Sequence, residues 1–484
     1  MAISKEQLDT FLNSASEAAG FIRKRVENNE TIHVISHFDA DGLAAAGIIG
    51  KALVRLGATF RIRIEKWIDE KVTEQVTADK PSLTIFTDFG SGYLDLLNAK
   101  LKDYAVAILD HHQAVNEPLP TFVHVNPHVH GIDSSRDLSG AGVAYLVAKD
   151  LDEKNVDLAC VAVVGALADL QDKYDQRKLG GVNERIVEDA VKEGSLNVET
   201  DLLFFGRETR PIHRALACTT SPFIPGVSGE EDKSLAFLAS LGIAPKHGEK
   251  WRALRDLSEE EKKTLFSGIA DYLASKGFPS ETAMGLIGKV YTLIKEEPWT
   301  PLRDAREFAV LLNATGRMDK PSLGVAVCMG DRGTTLEQAN TVLEDYRRTI
   351  TKYLGWLNEK PERIEELTSI YVVKGEDFID ENIIGAVSSI LSTSLPNPEK
   401  PLIAYSFVPG ENQIKISART LDIMTNKGLN LGEIMRVAAE KYSGRGGGHN
   451  IAAGAQVPTK SLESFIHYVN ELVRKQLKET THGN

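Results

Sequence analysis

Residues 32–42 constrain the possible folds of this chain more than any other stretch. The apolar run 32–35 reads as a buried strand, and it leads into His37, Asp39 and Asp41 at alternating positions. Gly42 and the small residues Ala44, Ala45 and Ala46 then open what reads as a helix. In an open α/β sheet, ligands bind in the crevice beyond the carboxyl ends of the strands. Hard oxygen ligands plus one imidazole at such a place suit Mn or Mg better than a packed core.

The same pattern recurs downstream. An amphipathic helix over 5–28 precedes the strand, and the helix after it should stop at Gly57. Phe60, Ile62 and Ile64 alternate with Arg61, Arg63 and Glu65, as in a strand with one wet face. A third strand, 83–87, ends on Asp88, and a fourth, 105–109, ends on Asp110-His111-His112. A short fifth strand, 122–125, leads into Asn126-Pro127. Ser139-Gly140-Ala141-Gly142 opens a further helix, and the apolar run 156–170 carries Asp169. Strands alternating with helices predict an α/β fold with a mainly parallel, doubly wound N-terminal sheet.

At 484 residues the chain exceeds one core, and four regions are expected: 1–180, 181–335, 336–367 and 368–484. Helical patterns at 259–276 and 282–295 flank no clear strand, so 181–335 reads as a helical insertion that includes the Pro/Gly stretch 221–226. Residues 337–365 read as a helical connector interrupted by Pro361. From Ser369 a smaller α/β domain begins, with strands at 370–373, 402–408 and 413–418. The turn composition of 409–412 joins the last two as a hairpin, and helices follow at 431–442 and 461–477.

Hydrophobic residues at 42% and charged residues at 26% fit a soluble globular protein, and no apolar run is long enough to span a membrane. Cys160, Cys218 and Cys328 are far apart without CxxC spacing, which predicts thiols in a cytoplasmic protein. The net charge of −12 counts against a nucleic-acid partner unless carboxylates hold metal and the basic residues cluster locally.

Four strand or helix ends therefore offer metal-type ligands: His37/Asp39/Asp41, Asp88, Asp110/His111/His112, and Asp169. Two divalent cations about 4 Å apart commonly share a bridging carboxylate and need more ligands than one loop supplies. Taken alone, Asp88 reads better as a turn or cap residue, and Asp169 as an ordinary helix carboxylate. Two adjacent histidines after a buried strand are harder to explain that way, and jointly the metal reading wins. A second signal is Arg445-Gly446-Gly447-Gly448-His449, where successive glycines let backbone N–H groups approach an anion; the plainer alternative is a flexible loop. Ser417 and Arg419 offer another anion contact. The cluster Arg207, Arg210, His213 and Arg214 and the run Asn313-Ala314-Thr315-Gly316-Arg317 are equally compatible with structural roles.

With these motifs in order, the sequence resembles the DHH phosphoesterase superfamily, named for the triplet present here as Asp110-His111-His112. The run 446–449 resembles the substrate motif of its C-terminal DHHA1 domain, and 313–317 a segment of the RecJ branch. His37, segment 206–211 and the overall size look most like the archaeal RecJ-like nucleases. The resemblance implies two Mn2+ or Mg2+ ions held by Asp39, Asp41, Asp88, His111 and Asp169, with Asp88 bridging. His37 joins them at a position where bacterial RecJ proteins tend to show Asp. It also implies His112 at the scissile phosphate, in a catalytic set with Asp88 and Asp110. Ser417, Arg419, Arg445, Gly446, Gly447, Gly448 and His449, with Asn313 and Arg317, would bind substrate. The implied activity is exonucleolytic hydrolysis of single-stranded DNA or RNA in replication or repair, with association to the GINS complex. A phosphodiesterase for short oligonucleotides or cyclic dinucleotides, and a scaffold in the replicative helicase complex, are the alternatives.

Overall fold

The computed structural model describes residues 3–174, 177–219 and 222–481, so Ser221 of the expected Pro/Gly stretch lies outside the described residues. The chain divides into two units, Met1–Leu343 and Glu344–Asn484.

The first unit opens with α1 (Lys5–Glu27), β1 (Thr31–His37), α2 (Ala40–Arg55), β2 (Thr59–Glu65) and α3 (Glu70–Asp79). It continues through β3 (Leu83–Thr87), α4 (Leu94–Lys100), β4 (Val106–Leu109), β5 (Phe122–Val125), α5 (Gly140–Leu151) and α6 (Ala159–Ala168). Ser4 caps α1 reciprocally with Gln7, and the helix buries Leu8, Phe11, Ala15, Ala18, Ala19 and Ile22, the stripe its sequence spacing predicts. Asp39 caps α2 by accepting from the Gly42 N–H, and the chain leaves that helix through Gly57 at φ +69°.

The five strands are all parallel, in the order β2-β1-β3-β4-β5. The winding direction reverses between β1 and β3, which makes the carboxyl ends of those two strands the natural ligand crevice. Ile35, Phe86, Val106 and Ile108 pack on one face of the sheet against Val72 and Val76 of α3 and Leu94 and Leu97 of α4. On the other face α1, α2 and α5 lie against the strands, with α6 packed on α2 and α5. The sheet is doubly wound as expected.

The unit is completed by α7 (Gly181–Lys192), β6 (Leu196–Leu202), α8 (Ile212–Ala217), α9 (Glu231–Ser240), β7 (Lys246–His247) and β8 (Lys250–Trp251). Then follow α10 (Glu259–Ser275), α11 (Ser280–Met284), β9 (Ile287–Leu293), α12 (Ala305–Arg317) and α13 (Pro321–Cys328). The helical reading of 282–295 is corrected here. The helix ends at Met284, and β9 pairs antiparallel with β6 from Leu196↔Leu293 to Leu202↔Ile287. Val290, Tyr291 and Thr292 favour a pleated strand, but the partner strand is far away in sequence and so invisible to a local pattern. A separate core of Leu202, Phe204, Ile212, Leu216, Leu238, Leu265 and Ile269 holds this region together.

The basic residues of 207–214 do not converge on one point. Arg207 pairs with buried Asp201, which Lys262 also reaches at 2.7 Å. Arg210 stacks over Phe205, Arg214 pairs with Glu231, and the ring of His213 packs against Trp251.

The helix α14 (Thr334–Glu359) begins in the first unit and ends in the second, stopping just before Pro361. The second unit contains β10 (Ile364–Glu366), β11 (Tyr371–Glu376), α15 (Ile384–Ser392), β12 (Leu402–Phe407) and β13 (Gln413–Arg419). After these come α16 (Asp422–Asn426), α17 (Leu431–Lys441), β14 (Arg445–Gly448), β15 (Ala452–Pro458) and α18 (Leu462–Thr481). Its six strands run β10-β11-β12-β13-β15-β14, with only β11 and β12 parallel. Ile403, Ile414 and Ile416 of the sheet pack against Ile434, Met435, Phe465 and Val469 of α17 and α18. Cys160, Cys218 and Cys328 are free thiols, and no helix among the described residues is long and apolar enough to cross a membrane.

Candidate metal centre

The sequence-predicted ligands meet at the carboxyl end of the parallel sheet. His37 ends β1, Asp39 caps α2, Asp41 lies in the first turn of that helix, and Asp88 follows β3. Asp110, His111 and His112 follow β4, and Asp169 caps the end of α6. Ligand atoms of His37, Asp39 and Asp88 lie within 4.8 Å of one another, as do those of Asp41, His111 and Asp169. Each set can hold one cation.

Asp88 joins the two sets. Its Oδ2 lies 3.4 Å from His37 Nδ1, and its Oδ1 lies 3.4 Å from His111 Nε2. The side chain is 1% exposed, yet neither oxygen has a hydrogen-bond partner, nor do the two facing histidine nitrogens. An isolated buried carboxylate costs several kcal/mol unless a cation or strong donors compensate it. A buried carboxylate facing ligand atoms on both sides is therefore a place that a divalent cation would compensate, and the donor types fit Mn2+ or Mg2+. Asp88 is held there at φ +61°, a strained conformation for a residue with a side chain.

The charges respond to the crowding. Burial, followed by the charges of Asp88 and Asp169, raises the Asp41 carboxyl well above the usual carboxylate range. Burial pushes Asp169 up to about 7 despite the opposing pull of His111. His37 moves the other way: burial disfavours its charge, but Asp39 and then Asp88 outweigh that and raise it to about 10. His111 is likewise raised against its burial by Asp88, Asp169 and Asp41. Protons thus stand where positive charge is wanted.

Each ligand is aimed by a neighbour. The Asp41 carboxylate accepts from the N–H groups of Gly140 (2.7 Å) and Ala141 (3.1 Å), the first turn of α5. His111 donates from Nδ1 to the Ser134 carbonyl at 3.0 Å, which leaves Nε2 for the cluster. Gln171 donates to the same carbonyl at 2.9 Å and is itself held by Asn183. His112 donates from Nδ1 to Asp110 at 2.9 Å on a side chain 41% exposed, and its ring also offers a ligand atom within 4.8 Å of those of Asp88 and His111. Asp110 accepts backbone N–H groups from Ser91, His111 and His112. Its carboxyl sits well below the usual range because the His112 charge and hydrogen bond outweigh its burial. Asp110 is thus bonded to His112 and belongs to none of the ligand sets. Asn126 donates both to Ser91 Oγ and to the His112 carbonyl.

Sequence reading missed Ser91, Asn126, Ser134 and Gln171, and noted Ser139–Gly142 only as a helix start. The glycines around the centre carry a signal that was available. A Cβ on Gly165 would lie 2.2 Å from Asp41 Oδ1, and one on Gly140 2.4 Å from Asp88 Oδ1. No side chain fits at either point.

Asn313 and Arg317 lie on the last turn of α12, whose Gly316 packs directly against the Phe38 carbonyl beside the ligand loop. Ser417, Arg419 and 445–449 belong to the second unit. There the alternative of a flexible loop is corrected: Arg445–Gly448 is an edge strand paired with β15. Gly446 allows it, because a Cβ would stand 2.4 Å from the Met435 carbonyl of α17. Arg419 donates to Ser389 and to the carbonyls of Ala418 and Ala453, the last paired in register with Gly448. Arg419 and the glycine strand are thus brought together, whereas Ser417 is buried with its hydroxyl bonded to Ser388.

Residues 31–167 match the DHH family N-terminal domain, 204–287 the DHH-CID domain and 368–475 the DHHA1 domain. Uncharacterized protein MJ0831 of Methanocaldococcus jannaschii is 31% identical over 458 residues, 92% of this chain and 94% of its own. The single-stranded-DNA-specific exonuclease RecJ of Thermus thermophilus is 29% identical over 172 residues, 33% of this chain and 25% of its own. The crystal structure of RecJ from that organism with Mn2+ superposes with a TM-score of 0.58 at 18% identity. That superposition covers 96% of this chain and 55% of the RecJ chain, so this chain spans about half of that protein's length. CDC45 from Entamoeba histolytica superposes with a TM-score of 0.62 at 12% identity, over 96% of this chain and 99% of its own. The chain belongs to the DHH superfamily, as a RecJ-like protein built from DHH, DHH-CID and DHHA1 domains.

Proposed function

We propose that this protein is a divalent-metal-dependent exonuclease acting on single-stranded DNA or RNA, in the cytoplasm and in DNA replication or repair, with two Mn2+ or Mg2+ ions per site. The observation that carries the reading is the buried Asp88 carboxylate, with one oxygen facing each of two ligand sets. The likeness to RecJ proteins, in sequence and in a Mn2+-bound structure, supports it.

His37, Asp39 and Asp88 would hold one ion, and Asp41, His111 and Asp169 with the other Asp88 oxygen the second. Bound, such ions lower the pKa of water and neutralise phosphate charge. The chain's own residues do the rest. His112, oriented by Asp110 and raised by its charge, would donate to a non-bridging oxygen of the scissile phosphate. Asn126 and Ser91 hold that pair in place. Arg419 and the strand Arg445–Gly448, with His449, would bind a substrate phosphate on the second unit, and Asn313 and Arg317 would contribute beside the ligand loop of the first. The test is digestion of strands labelled at either end, as DNA and as RNA, against a two-nucleotide substrate. Mn2+ should support shortening of the long strand, and Asp88→Asn should abolish it. Strands left intact in every divalent metal would overturn the reading.

The likeness to CDC45 over nearly the full length of both chains supports a second role beside catalysis, as a scaffold in the replicative helicase complex with GINS as partner. Retention of purified GINS by wild type and by Asp88→Asn alike would separate that role from hydrolysis.

A further inference from the structure

Leu170 directly follows the candidate ligand Asp169 and stands in a conformation its side chain disfavours, at φ +55°. The end of α6 explains how. Asp169 N–H donates to the Gly165 carbonyl, Leu170 N–H to Leu167 and Gln171 N–H to Ala166, each at 3.1 Å. That arrangement is the helix ending whose left-handed position is ordinarily glycine. Leucine is unfavourable there twice over, because the backbone is strained and because a large apolar residue is left 56% exposed. The turn is also held from both sides. Asp169 lies 3.3 Å from His111 Nε2, and buried Gln171 grips the Ser134 carbonyl that orients His111. Asp169 is 23% exposed, as are His37 (22%) and Asp39 (30%), against 1% or less for Asp41, Asp88 and His111, so it stands among the ligands that solvent reaches.

We propose that Leu170 is a substrate contact, an apolar platform against which a nucleobase flanking the scissile phosphate packs. The inference rests on the nuclease reading above and adds the group that seats the base. An exposed, strained leucine at this point is accounted for if a base covers it in the complex.

The test compares wild type, Leu170→Gly and Leu170→Asn in Mn2+ on a labelled single strand and on strands made abasic at the terminal or the penultimate nucleotide. Glycine relieves the strain, so Leu170→Gly should melt about 2 °C higher than wild type. Asparagine tolerates the left-handed backbone and removes only the apolar surface. In both variants KM for the intact strand should rise about 5-fold, with kcat little changed. On the strand lacking the contacted base, wild type should fall to the variants' level while the variants do not change. A wild-type KM in either variant, or the same variant-to-wild-type ratio on intact and both abasic strands, would overturn the contact. A wild type inert on every strand would overturn the nuclease reading and this contact with it.

Discussion

Gly165→Ala is a one-methyl perturbation of the centre that replaces no candidate ligand. The added Cβ would lie 2.2 Å from Asp41 Oδ1 and 2.5 Å from the Ala141 Cβ, both far inside the 3.4 Å at which ordinary contact begins. Both neighbours are fixed: Asp41 is bonded to the Gly140 and Ala141 N–H groups, and Ala141 is part of α5. Restoring contact therefore displaces the carboxylate or the helix by about 1 Å, and a misplacement of that size costs on the order of 100-fold in rate. Overpacking a buried site costs about 1–3 kcal/mol, offset by about 1 kcal/mol of helix propensity gained over glycine. The expected variant is folded, slightly less stable, stabilised less by Mn2+ than wild type, and about 100-fold slower on a labelled single strand. Gly20→Ala in α1, where a Cβ meets nothing within 4 Å, is the matched control and should be at least as stable with unaltered activity. Melting with and without Mn2+, alongside strand digestion, reads all of this. Full activity with an undiminished Mn2+ shift in Gly165→Ala would refute the placement of Asp41.

Mn2+ binding should release protons. In the metal-free protein Asp169 titrates at about 7 and His37 at about 10, and a cation binds only their deprotonated forms. Affinity should accordingly rise with pH from about 6 toward 10, and calorimetry in buffers of different ionisation enthalpy should show proton release at pH 7; its absence would contradict the ligand assignment. Asp110, held below the usual carboxylate range, contributes stability that is complete above its unfolded value of about 3.9 and is lost as pH falls. Metal-free melting followed downward from pH 6 should show Asp110→Asn losing less stability than wild type. Asn126→Ala removes two hydrogen bonds that hold Ser91 and His112, so kcat should fall about 10-fold with Mn2+ affinity retained; a change confined to KM would exclude positioning. Arg207→Ala leaves buried Asp201 short of a partner and should destabilise by about 3 kcal/mol without altering Mn2+ binding, as denaturant melts and metal titration would show.

The parallel sheet and its ligand-bearing ends were legible because both are local signals. A buried apolar run followed by His37, Asp39 and Asp41, or by Asp88, or by Asp110-His111-His112, carries strand and ligand within one short stretch. Local pattern failed where the deciding partner is remote. The segment Ile287–Leu293 became a strand because Leu196–Leu202 pairs with it, and the glycine run became an edge strand because α17 lies flat against Gly446.

The sequence by itself determined which residues stand at the strand ends, and hence that acids and imidazoles collect in one crevice. Only the tertiary structure decided which groups reach each of them. Asp110 looks like a ligand in sequence, but its oxygens are taken by three backbone N–H groups and His112. Asp88 looks like a turn residue, but it is buried between His37 and His111, one from each of two ligand sets. The physical reason is the same for both: a carboxylate's role is set by the donors that reach it, and those come from other parts of the chain.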